Sequence, residues 1–149
     1  MLPTTICCLS QLRYLSASSN QITCLPEEFG RLTNLRQLWL NHCLLTSLPE
    51  SIGSLRSLEK FSVSHNSIIH LPEQLGGLTS LCWMNISSNQ LDSLPVTIEE
   101  LTSLSYLNLS DNQMICLPNI LQSLPSLSVL LMRNNPVREV SHATPVSDP

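Results

Sequence analysis

A leucine-proline pair returns every 23 residues: Leu2-Pro3, Leu25-Pro26, Leu48-Pro49, Leu71-Pro72, Leu94-Pro95 and Leu117-Pro118. Six pairs in phase along 149 residues are not a product of chance. A unit this short cannot cover its own apolar face, so successive copies have to stack and bury a continuous core between them. The chain is long enough to do this without disulfide or metal staples.

A second comb runs in step with the first: Leu9, Leu32, Leu55, Leu78, Leu101 and Leu124 open segments such as LTNLRQLWLNHC and LTSLSYLNLSDN. Each reads L-x-x-L-x-x-L-x-L-x-x-N, with the last position held by Asn20, Asn66, Asn89, Asn112 and Asn135, and by Cys43 in the second copy. The alternation at Leu38 and Leu40, Phe61 and Val63, Met84 and Ile86, Leu107 and Leu109 has the period of a short strand with one buried face. After the Asn the chain turns, and the proline starts a short outer helix. Its fixed φ suits a helix start, and Glu27, Glu50 and Glu73 place negative charge in the first turn. Phe29, Ile52, Leu75, Ile98 and Leu121 point inward from that side.

The expected fold class is therefore α/β: a right-handed leucine-rich repeat solenoid with an inner parallel β-sheet, short outer helices or 3-10 turns, and a strand in each of six copies. Residues 1–8 read as a partial N-terminal repeat lacking its strand, 9–140 as the repeat domain, and 141–149 as a disordered tail without apolar pattern. Starting in mid-repeat, the chain reads as a fragment, a shortened isoform or a divergent short member. Its uncapped ends suggest an alternative, structural role, in which the fragment or isoform self-associates or pairs with missing repeats and has no independent partner site. The repeated Asn, able to donate and accept, is expected to form a buried ladder, and Cys43 to be buried and inert within it.

The 23-residue form with leucine-proline on its far side resembles the intracellular leucine-rich repeats of the Ras-suppressor, Scribble and Erbin type. That resemblance implies a signalling or polarity scaffold, with a small GTPase, a phosphatase or a scaffold component as partner.

Charge narrows the partner classes further. A net charge of -4 with only 12% charged residues leaves no basic field for nucleic acid, and no stretch is apolar enough for membrane insertion. The start lacks the basic flank of a signal peptide, and the six cysteines show neither C-x-x-C pairs nor metal spacing with histidine. Reduced thiols in the cytoplasm are the corresponding expectation. His42 and His65 share a position in adjacent copies, where two surface imidazoles without a third ligand are a poorer metal site than a solvated pair. No nucleophile, phosphate-loop or cofactor motif stands out, so the expected role is non-enzymatic and without cofactor or metal. The sequons at Asn85 and Asn108 fall in mid-strand and carry no compartment information.

In-register copies put equal positions into columns on the outward side of the sheet. One column is Tyr14, Gln37, Lys60, Trp83, Tyr106, Val129; the next is Ser16, Trp39, Ser62, Asn85, Asn108, Leu131; a third is Ser18, Asn41, Ser64, Ser87, Ser110, Arg133. Both tryptophans and both tyrosines of the chain fall here, while both phenylalanines replace aliphatic core residues. Amphipathic aromatics on an exposed face mark interaction hot spots. Tyr14, Arg36, Trp39, Lys60, Trp83, Asn85, Tyr106 and Asn108 are accordingly the expected contacts to another protein, with Trp83 one strand from Lys60 and Tyr106, and Trp39 two strands away.

Overall fold

The computed structural model describes residues 2–137; the expected tail at 141–149 lies outside them. Six strands of three residues form one sheet in chain order: β1 (Tyr14–Ser16), β2 (Gln37–Trp39), β3 (Lys60–Ser62), β4 (Trp83–Asn85), β5 (Tyr106–Asn108) and β6 (Val129–Leu131). Every neighbouring pair is parallel, and Tyr14, Gln37, Lys60, Trp83, Tyr106 and Val129 stand in one register row, as the 23-residue period requires. The middle residue of each interior strand, Leu38, Phe61, Met84 and Leu107, is fully buried.

The opposite wall consists of 3-10 turns: Thr4–Cys8, Glu27–Arg31, Glu50–Ser54, Glu73–Gly77, Val96–Glu100 and Asn119–Ser123. Each begins after a proline in the extended region, with φ between -63 and -68°. The backbone closes by three-residue bonds such as Phe29 N–H to Pro26 O (3.0 Å) and Leu32 N–H to Phe29 O (3.2 Å). Phe29, Ile52, Leu75, Ile98 and Leu121 are buried in these turns, as their phase predicts, together with Cys7, Gly30 and Gly76.

Neighbouring outer turns touch through glycine. A Cβ on Gly30 would overlap the Ser51 carbonyl, one on Gly53 the Gln74 carbonyl, and one on Gly77 the Gly53 carbonyl. Backbone stands against backbone here, so nothing can swing aside. Gly53→Ala is expected to destabilise the fold by about 1 to 3 kcal/mol, seen as a lower urea midpoint. Ala at Gln122, which holds the same phase but already carries a side chain, should leave the midpoint almost unchanged.

The asparagine ladder forms, but it is buried only at Asn89 and Asn112; Asn66 and Asn135 are half-buried, and Asn20 is exposed because no coil precedes it in the stack to cover it. Asn89 Nδ2 donates to Val63 O (3.0 Å), Ile86 O (3.1 Å) and Ser87 O (3.2 Å), while its Oδ1 accepts Ile68 N–H (3.0 Å). Asn112 repeats the same four bonds one coil on. At Cys43 the ladder thins to a buried thiol that donates weakly to Ala17 O (3.5 Å) and Asn41 O (3.7 Å). Just ahead of each ladder position, Ser19, His42, His65, Ser88, Asp111 and Asn134 take positive φ of 51–60°. No glycine marks this left-handed turn; Asn, Asp and His are among the types that tolerate it best.

Candidate functional site

The outward columns bring Trp39, Trp83 and Tyr106 into one continuous cluster. Trp83 and Tyr106, adjacent in register, stack with ring centroids 5.2 Å apart and planes 10° from parallel. Trp39 and Trp83 also touch, at 5.3 Å and 46°, although β3 lies between their strands. The sequence places Trp39 two strands away; the structure places it in contact. Ser62 explains the difference, because this small, fully buried residue on β3 sits between Trp39 and Asn85 in the register and leaves room for the indoles to lean together. Its hydroxyl donates to Asn41 Oδ1, which also accepts Ser64 N–H and Oγ–H, both at 3.0 Å. Trp39 Nε1 is buried and has no hydrogen-bond partner among the described residues. Its ring is held by packing on Trp83, at the expense of an indole donor left unmade.

The other expected contact residues divide. Lys60 is exposed on β3 in the row of Trp83. Asn85 and Asn108 turn Oδ1 back to accept Ser87 N–H (3.1 Å) and Ser110 N–H (3.0 Å). An N–H donor fixes the oxygen as the inward atom, so each amide presents its NH₂ outward. Arg36 lies one residue before the register rows and pairs with Glu59 at 3.0 Å, with both side chains largely exposed. Tyr14 is 57% exposed on β1 and stands apart from the ring cluster.

His42 and His65 form a second aromatic pair, stacked at 4.1 Å and 9° on the left-handed turns. Parallel rings aim their in-plane nitrogen lone pairs side by side instead of at one point. No group of three or more His, Cys, Asp or Glu suited to a metal occurs among the described residues. All six cysteines are free thiols. Burial, helped by Glu28, pushes the Cys7 thiol above its ordinary value and disfavours the thiolate. No helix among the described residues is long and apolar enough to cross a membrane.

Acid collects on the opposite wall, where a surface hollow of about 410 Å³ is lined by Glu50, Glu73 and Glu100. Coils in step, one parallel sheet and a half-buried aromatic cluster on its outward side together define a repeat solenoid. Family models described as a leucine-rich repeat region and a leucine rich repeat match residues 3–81 and 83–137. The chain belongs to the leucine-rich repeat proteins.

Among solved structures, a leucine-rich repeat protein of Leptospira interrogans aligns with a TM-score of 0.88 and 36% identity over 90% of this chain and 34% of its own. The leucine-rich repeat ectodomain of the Arabidopsis thaliana receptor kinase GASSHO1/SCHENGEN3, in complex with Casparian strip integrity factor 2, gives 0.82 and 34% over 90% of this chain and 17% of its own. An internalin of Listeria monocytogenes, with a TM-score of 0.80 at 24% identity over 93% of this chain and 40% of its own, shares the fold. The present chain thus spans about a third of the Leptospira protein. No curated protein matches it significantly in sequence.

Proposed function

We propose that this chain is a non-enzymatic protein-interaction module whose sheet face docks a partner protein around Trp39, Lys60, Trp83 and Tyr106. The observation that carries the reading is the ring cluster itself. Three amphipathic aromatics are gathered on the outward side of the sheet. Half-buried aromatic clusters on a sheet surface are characteristic of recognition sites. The Arabidopsis ectodomain, a related solenoid, is in complex with Casparian strip integrity factor 2. Six free thiols favour a reducing compartment, so the proposed setting is the cytoplasm, in signalling assemblies of the Ras-suppressor or Scribble kind, with a small GTPase, phosphatase or scaffold component as partner class.

The test is the double variant Trp39→Ala, Trp83→Ala. Partners captured by the wild-type protein and cross-linked to the sheet face should be lost, with affinity falling at least about thirtyfold, as expected for hot-spot residues, while circular dichroism stays unchanged. Retained capture with the rings removed overturns the reading.

A further inference from the structure

The sheet face differs in charge from the rest of the molecule. The protein carries a net -4, yet the eighteen outward positions of the three columns hold two charges, Lys60 and Arg133, both positive, and no carboxylate. Two acids border this face: Glu59 pairs with Arg36 at 3.0 Å, while the exposed Asp111, beside Arg133, stays anionic with its Oδ1 accepting Asn134 Nδ2–H at 2.7 Å. Among the described residues neither Lys60 nor Arg133 has an ion-pair partner.

The groups between these cations are donors too. Lys60 lies at the start of β3 and Arg133 two residues beyond the end of β6, and the diagonal joining them crosses Asn85 and Asn108. Both asparagines have spent Oδ1 on backbone N–H groups, and their outward NH₂ groups have no partner among the described residues. With strands about 4.8 Å apart and about 3.3 Å per residue along them, the diagonal measures roughly 20 Å. Trp83 and Tyr106 flank it, with Trp39 packed against Trp83 on the other side. An ammonium, two amide NH₂ groups and a guanidinium in sequence, beside flat apolar rings, call for a ligand that supplies acceptors and negative charge.

Resting on the docking role above, we infer that the partner presents an extended acidic segment of six or seven residues. Carboxylates near its two ends meet Lys60 and Arg133, its backbone carbonyls take the Asn85 and Asn108 NH₂ groups, and a central apolar side chain lies on Trp83 and Tyr106. Six to seven residues at about 3.3 to 3.6 Å each cover the roughly 20 Å between the cations.

The probe is a heptapeptide with two glutamates at each end and a central phenylalanine, set against a counterpart with lysine in place of glutamate. The chain has two tryptophans, both in the cluster, so its intrinsic fluorescence reports occupancy directly. The glutamate peptide should bind at least about tenfold more tightly than the lysine peptide and weaken as salt rises. Lys60→Glu with Arg133→Glu, at exposed positions where folding is unaffected, should remove that preference. Equal binding of the two peptides, no response to either, or an unchanged preference in the charge-reversed variant overturns the inference. A cellular partner lost with Trp39→Ala, Trp83→Ala but kept with Lys60→Glu, Arg133→Glu would overturn the acidic segment alone and leave the docking face standing.

Discussion

Asn89→Ala lowers the unfolding free energy by about 3 to 5 kcal/mol, an effect that Asn112→Ala should match because Asn112 makes the same four bonds. The size follows from what each partner loses. Val63 O, Ile86 O and Ser87 O all retain another donor: Asn66 Nδ2 for the first, Asn112 Nδ2 for the second and His65 N–H for the third. Ile68 N–H is different, because in the ladder its acceptor is Asn89 Oδ1. The variant therefore leaves one buried donor bare, at about 1 to 3 kcal/mol, and removes three shared bonds at a smaller net cost each. Asn89→Asp should not rescue, since it keeps the acceptor but sets a buried carboxylate against three carbonyl oxygens. Asn20→Ala is the internal control. Asn20 is exposed and donates only to Ala17 O (2.9 Å) and Ser18 O (3.1 Å), so its loss should shift a urea midpoint by far less. Comparable losses at positions 20 and 89 would show that the ladder is not what binds adjacent coils.

Phe61→Ala ranks beside it, at about 3 to 5 kcal/mol. Phe61 is fully buried at the centre of β3, with Leu38 and Met84 beside it in the register. Every other repeat places a smaller aliphatic residue there, and the space around a benzyl group cannot close when it is cut to a methyl. Phe61→Leu restores the common volume and should cost less than about 1.5 kcal/mol. The measurement is urea unfolding followed by tryptophan fluorescence. Trp39 and Trp83 lie on the strands either side of β3, so local loosening registers even where more distant coils hold. A midpoint for Phe61→Ala equal to that of Phe61→Leu would contradict close packing of this layer.

These two sites differ in how far they could be foreseen. The ladder was readable from Asn66, Asn89 and Asn112 recurring at one phase, since the carboxamide both donates and accepts and a stacked coil supplies both kinds of backbone group. The inward residues of strands and outer turns followed from the same period, and so did the row Tyr14, Gln37, Lys60, Trp83, Tyr106, Val129. The left-handed turn at His42 and His65 was not foreseen, for the usual glycine signal is absent.

A period shorter than a self-sufficient core leaves a chain one option, stacking in step, and that alone settled the sheet, the outer turns and the list of outward positions. Which of those positions act together was settled by tertiary structure. Trp39 reaches Trp83 across β3, where its own register neighbour Ser62 is small and buried, Arg36 is drawn to Glu59 at the margin, and the Asn85 and Asn108 amides are oriented by the N–H groups of Ser87 and Ser110. Repeat length fixes backbone neighbours at the spacing of strands; the direction a side chain takes depends on the volume and hydrogen-bonding groups around it, which come from other coils.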